Sequence, residues 1–167
     1  MNWLDSIRAI EDLEDAEFDP GLVSPEVVGN SNELEQVLVI LVRNAADAVE
    51  EGGSIVVTVD AEAVDSTSAH YEARAVSRHQ DDPGAGTRRG RVVVTVTDDG
   101  CGMDAETKAR MMEPFFTTKP PGAGTGLGLW IAYNIVTEHG GRLDVRSAPG
   151  EGTRVSITLV LAPEHPV

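Results

Sequence analysis

Residues 122–129, Gly-Ala-Gly-Thr-Gly-Leu-Gly-Leu, alternate four glycines with small or apolar residues and lead into Trp130, Ile131, Tyr133, Asn134 and Ile135 at helical spacing. Such a run bares backbone N–H groups and ends at a helix N-terminus, and together these suit a phosphate group. A flexible linker is the other reading of so much glycine. A second place for chemistry is Asp98-Asp99-Gly100-Cys101-Gly102-Met103, which follows the apolar run Arg91–Thr97. An aspartate at a strand end, followed by two glycines, can set a carboxylate on a pocket floor while the backbone folds closely around a flat ring. A carboxylate only accepts hydrogen bonds, so it matches the amino group of adenine; the guanine carbonyl would leave it unpaired, at about 1–3 kcal/mol. The same hexapeptide also reads as a turn closing a hairpin. The third place is Asn44, a polar residue within the apolar-periodic LEQVLVILVRNAADAV. At about 100° per residue it borders the apolar face, where its amide oxygen suits Mg²⁺ or a neighbouring backbone group.

Several elements must position these residues. Asn32, with Glu35 three residues on, predicts a helix start, and Leu34, Val37, Leu38, Leu41, Val42, Ala45 and Ala48 carry the helix to a stop at Gly52-Gly53. Ser54–Ala63 and Arg91–Thr97 read as strands, joined by residues 65–90 as a long mobile hairpin connection broken at Asp82-Pro83-Gly84. Asp104–Met112 suits a short helix and Gly126–His139 a longer one; Arg142–Ser147 and Thr153–Leu161 form a last hairpin around Pro149-Gly150-Glu151-Gly152. Residues 1–16 read as an N-terminal amphipathic helix or linker, 17–30 as irregular with a short strand at most, and 163–167 as a frayed tail. Helices mixed with hairpin-linked strands predict an α/β fold of the α+β kind. Its mixed, largely antiparallel sheet would be backed by helices in a two-layer sandwich.

Composition bounds the partners. The 167 residues suit one domain, and 28 acidic against 13 basic residues leave a net charge of −15. That argues against nucleic-acid binding and against direct contact with an anionic membrane. Cys101 is the only cysteine, so no intrachain disulfide can form and a reducing, cytoplasmic setting is expected. Its size suits filling a tight slot. No apolar run approaches the roughly 20 residues of a membrane span, and Met1 opens no secretory signal.

The helix LEQVLVILVRNAADAV, DDGCGM, EPFFTTK (113–119), GAGTGLGL and GEGT occur in one order. In this the chain resembles the ATP-binding catalytic domain of sensor histidine kinases, within the wider gyrase, Hsp90 and MutL ATPase superfamily, over residues 17–162. EPFFTTK followed by GTGLGL is most similar to the nitrogen-regulation-like branch.

The resemblance implies a Bergerat-type sandwich that holds ATP and Mg²⁺ and passes the γ-phosphoryl group to a histidine. Asn44 would coordinate Mg²⁺, Asp47 would face the nucleotide, and Asp98 would bind the adenine amino group, with Gly100 and Gly102 shaping the pocket. Residues 117–125 would form the lid. Gly124, Thr125, Gly126, Leu127 and Gly128 would line the phosphates, and Lys119 would add a charge there. Thr153 would support Asp98, while Phe115 and Phe116 would pack the lid hinge onto the core.

Two departures from the family pattern stand out. Ile40 lies one turn before Asn44, where histidine kinases often carry a second asparagine and hydrolysing relatives a glutamate; isoleucine supplies neither a metal ligand nor a base. None of His70, His79, His139 and His165 is followed by an acid, as the phosphoacceptor histidine would be. A histidine-containing dimerisation domain in the same parent protein or on a separate chain, and through it a response regulator, are the implied partners, with this chain a monomer. The competing readings are an anti-sigma-type serine kinase and a non-catalytic nucleotide-gated interaction module.

Overall fold

The computed structural model describes residues 17–19, 27, 29–64 and 89–160. The expected helix within 1–16, the 65–90 connection (apart from its last two residues) and the 163–167 tail lie outside them. Strand β1 (Glu17–Asp19) is followed by α1 (Ser31–Ala48), β2 (Ile55–Val64) and β3 (Arg89–Asp98). Then come α2 (Ala105–Arg110), α3 (Gly128–Glu138), β4 (Arg142–Ser147) and β5 (Thr153–Val160). The strands form one sheet in the order β1-β2-β3-β5-β4. Only the β1–β2 pair is parallel, so the sheet is mixed and largely antiparallel, as expected.

Alternation along the strands divides the sheet into two faces. Ile55 and Val57, Val92 and Val96, Leu143, and Ile157 and Leu159 point to one side and are buried there. They meet Val37, Leu38, Leu41, Val42 and Ala45 of α1 and Ala132, Ile135 and Val136 of α3 in a single core. The other face carries Thr58, Thr95, Asp144, Arg146, Arg154 and Ser156, polar side chains that suit solvent. The last inward position of β3 is Asp98, the buried charged side chain among the described residues. The core face therefore ends in a carboxylate.

Helix α1 starts two residues before the expected point. Asn30 is the cap: its Oδ1 accepts the Asn32 N–H at 3.1 Å, and its side-chain amide donates to Glu33 at 3.0 Å. The pair Asn30/Glu33 thus takes the place assigned to Asn32/Glu35. A distant residue selects that register. The Asn30 N–H donates to Nε2 of His139 at 3.0 Å, and Nδ1 of the same ring lies 2.8 Å from the Ile135 carbonyl. This arrangement requires the neutral ring with its proton on Nδ1. His139 closes α3, where that helix was expected to end, and also pins the start of α1. Replacing it with alanine removes this bond and the packing of a ring that is only 7% exposed, and should cost about 1 kcal/mol, read as a fall in the urea-unfolding free energy. Unchanged stability would remove His139 from this role.

The remaining boundaries differ from expectation by a few residues. The glycine run stays a turn as far as Leu127, so α3 begins at Gly128 rather than Gly126. Helix α2 is capped by Asp104, whose Oδ1 accepts the Thr107 N–H at 2.7 Å.

Candidate nucleotide site

Asp98 is 7% exposed. Its Oδ1 accepts two backbone N–H groups, from Gly100 at 3.0 Å and Thr153 at 3.1 Å. The two described bonds share one oxygen, which leaves Oδ2 for a donor from outside. Burial raises the carboxyl above its ordinary value, the two N–H bonds oppose that, and neighbouring Asp99 adds to the rise. Asp99 itself turns away, accepting the Ser54 N–H at 2.8 Å and the Ser54 hydroxyl at 3.1 Å.

The turn after Asp98 is tied to two other elements. The Cys101 N–H donates to the Ala48 carbonyl at the end of α1, and the Cys101 carbonyl accepts from Gly150 in the β4–β5 turn. Gly100 sits so close to the Ala48 carbonyl that any side chain there would collide with it. Gly102 has φ +66°, and a Cβ would fall on the Ala148 carbonyl oxygen; glycine is required on both counts. Cys101 is exposed, which corrects the reading that it fills a tight slot: its backbone is pinned and Gly100 occupies the slot.

Ser147 was not legible as a site residue. Its hydroxyl accepts the Met103 N–H at 2.8 Å, donates to the Gly152 carbonyl at 2.9 Å and lies 3.0 Å from the Thr153 hydroxyl. Ser147 and Thr153 are register partners at the end of the last hairpin, so pairing the two predicted strands residue by residue would have found it. Thr153 supports Asp98, and does so through its backbone N–H rather than its hydroxyl.

The opposite wall is α1 and the segment read as the lid. Asn44 and Asp47 are exposed, one turn apart. Lys119 reaches Asp47 and makes an ion pair with it, so two residues singled out separately meet across the site. Both are partly exposed, so the pair is worth less than about 1 kcal/mol. Gly128 faces Ile40, whose Cγ2 would lie 3.3 Å from a Cβ there, and Asn44 beyond it, 4.0 Å away. Ile40 and Asn44 thus flank the point where the glycine run enters α3. That helix has no side-chain cap. Gly124 lies against Thr117 and Lys119, and the Leu127 N–H reaches the Thr125 hydroxyl only at 3.4 Å, a weak bond that a better acceptor could replace.

Phe115 departs from expectation. It is 73% exposed with φ +68°, so it does not pack on the core. Its N–H donates to the Gly126 carbonyl at 2.9 Å, and Gly126, at φ +66°, lies against the Phe115 and Phe116 backbone. This close backbone contact turns the Phe115 side chain outward. Phe116 instead lies under Arg110, 4.3 Å from ring centroid to guanidinium.

Among the described residues, no cluster of three or more His, Cys, Asp or Glu side chains could cage a metal. Asn44 makes no described hydrogen bond, so its amide oxygen is available. With Asp47 nearby, the residues fit Mg²⁺ held mostly by phosphate and water oxygens. No helix among the described residues is long and apolar enough to cross a membrane.

A buried acceptor at a strand end, a glycine floor beneath it and an uncapped helix N-terminus opposite define a nucleotide-binding α/β sandwich. Residues 29–163 match the family of histidine kinase-, DNA gyrase B-, and HSP90-like ATPases, and the chain belongs to it. It is similar to the sensor kinase CckA of Brucella abortus (strain 2308), 40% identical over 134 residues, covering 80% of this chain and 13% of that protein. It is also similar to the sensory histidine kinase/phosphatase NtrB of Rhodobacter capsulatus, 34% identical over 149 residues, covering 89% of this chain and 37% of that protein. Among solved structures, the mycobacterial sensor histidine kinase MprB superposes with a TM-score of 0.64 at 26% identity, covering 97% of this chain and 93% of that one. The chain spans well under half the length of these curated relatives. The likeness to NtrB is shared with CckA, so it does not single out the nitrogen-regulation-like branch.

Proposed function

We propose that this chain binds Mg-ATP and donates the γ-phosphoryl group to a histidine on a separate dimerisation segment in two-component signalling. The observation that carries the reading is Asp98: a buried carboxylate whose Oδ1 is fixed by two backbone N–H groups and whose Oδ2 suits the adenine amino group. Gly100 and Gly102 form the ring's platform, with Ser147 and Thr153 bracing it.

Residues 117–125 act as the lid. The backbone of Gly124, Thr125, Gly126 and Leu127 and the first turn of α3 at Gly128 line the phosphates. Lys119 exchanges Asp47 for phosphate oxygens, and Asn44 holds Mg²⁺, which supplies charge neutralisation on the phosphates. The chain's own part is positioning and preorganised N–H donors. Ile40 offers no base to activate water, which supports transfer to a protein nucleophile over hydrolysis. The acceptor histidine comes from the same parent protein or a second chain, a response regulator lies downstream, and this chain acts as a monomer on the cytoplasmic side, where ATP is.

Incubation with γ-labelled ATP and a matching dimerisation segment tests this. Acid-labile phosphate on the segment is the expected result. Acid-stable phosphate would instead mark an anti-sigma-type serine kinase, and ATP binding without any transfer would mark a nucleotide-gated interaction module.

A further inference from the structure

The solvent face of the sheet carries a cationic group at the same end as Asp98. Arg146 and Arg154 stand directly opposite one another on β4 and β5, and Thr97 follows in the same row. Both arginines are exposed. With Lys108 of α2 they line a concavity of about 510 Å³, whose wall also includes Thr97, Gly152 and Glu151, together with Asp98, Ser147 and Thr153 of the adenine floor. The ion pairs among the described residues involve Arg110, Lys119 and Arg142; Arg146, Arg154 and Lys108 take no part in them.

That is unexpected in a chain with 28 acidic residues. Like charges directly opposite across two strands destabilise a sheet, so the pair costs stability without an internal partner. An arginine on an edge strand can serve to stop the edge pairing with another sheet. This accounts for Arg146 on β4, at the sheet's edge. It does not account for Arg154 on the interior strand β5, nor for Lys108 on a helix.

We propose that this concavity docks a carboxylate-rich segment of a partner polypeptide. Arginine forks bind carboxylates through paired N–H donors, and the Thr97 hydroxyl adds a further donor. The volume exceeds many times the roughly 30 Å³ share of one water, so it suits several side chains rather than a single inorganic anion. The net charge of −15 repels a nucleic acid, whose affinity depends on many phosphate contacts, whereas a short acidic loop needs only local complementarity.

The surface is continuous with the adenine floor, since Asp98, Ser147 and Thr153 share its wall. Arg146 precedes Ser147, which bonds Met103 and Gly152; Arg154 follows Thr153, which bonds Asp98. Docking therefore biases the floor, a corollary that rests on the nucleotide reading, while the docking itself does not.

The test uses the whole 167-residue chain with a hexaglutamate peptide, followed by amide NMR. Expected are shifts at Thr97, Lys108, Gly152 and Arg154 that fade between about 0.02 and 0.3 M salt. Affinity should weaken about tenfold in the Arg146→Ala/Arg154→Ala double variant and also in Lys108→Ala, on a separate element. No shifts, affinity unchanged from the parent in either variant, or tighter binding of pyrophosphate or oligothymidylate would overturn the proposal. ADP affinity measured with and without the peptide tests the corollary. Failure of ADP to bind at all would count against the nucleotide reading and leave the docking result standing.

Discussion

Replacing Asp98 with asparagine should lower ATP affinity about 100-fold while leaving the folded chain no less stable. An asparagine keeps its Oδ1 where Gly100 and Thr153 donate, so the floor stays braced. Its amide –NH₂ then stands where Oδ2 stood and meets the adenine amino group donor to donor. A charge-assisted hydrogen bond is lost and a donor is left unpaired, together about 3 kcal/mol, which is about two factors of ten in affinity. The guanine carbonyl would meet that donor favourably, so the preference for ATP over GTP should narrow.

Stability moves the other way. Burial raises the Asp98 carboxyl in the folded chain, with Asp99 adding to the rise, so the folded state holds this proton more tightly than the unfolded chain. The ionised carboxylate therefore costs stability above its folded pKa. The cost grows as pH rises from the unfolded value through the folded one, and it vanishes below about pH 3, where both states are protonated. The variant should melt at or above the parent temperature at pH 7, and the difference should close in acid. Calorimetric ATP and GTP titrations with thermal melts at two pH values decide it; unchanged ATP affinity would remove Asp98 from the adenine role.

How far the sequence reveals this site depends on how local each interaction is. The core stripe of α1 and the alternation of β3 repeat within a few residues, so Val37, Leu41, Ala45, Val92 and Val96 announce their faces. Asp98 and its glycines were legible because a strand end followed by Asp-Asp-Gly-Cys-Gly constrains the backbone there. The start of α1 was not, because Asn30/Glu33 and Asn32/Glu35 have the same spacing, and a contact to His139, 109 positions away, decides between them. Phe115 was misjudged for a similar reason: hydrophobicity predicts burial, but the close approach of Gly126 sets its backbone. Ser147 and the Lys119–Asp47 pair emerge only from strand register and from a contact spanning 72 positions.

Asn44 gives the second large effect, and again function and stability should move oppositely. Asn44 is exposed about one turn before the C-terminal end of α1 and makes no described hydrogen bond. Asparagine is also a poorer helix former than alanine, by about 0.5–0.7 kcal/mol. Asn44→Ala should therefore raise the unfolding free energy slightly. If the amide oxygen is a Mg²⁺ ligand, the variant loses the gain in ATP affinity that Mg²⁺ gives the parent, while its affinity in a chelator stays unchanged. With one protein ligand removed from a site that the protein holds by one or two oxygens, phosphotransfer should fall at least about 100-fold, consistent with a transition-state loss near 3 kcal/mol. Ile40 makes this steeper, since it offers no oxygen one turn away to take over. Titrating ATP into parent and variant with Mg²⁺ and with chelator separates the outcomes: an equal fall in both would make Asn44 a nucleotide contact rather than a metal ligand. An Ile40→Asn change in the Asn44→Ala background should recover part of the Mg²⁺ effect, because both side chains flank Gly128 and face the same phosphates in the proposed complex.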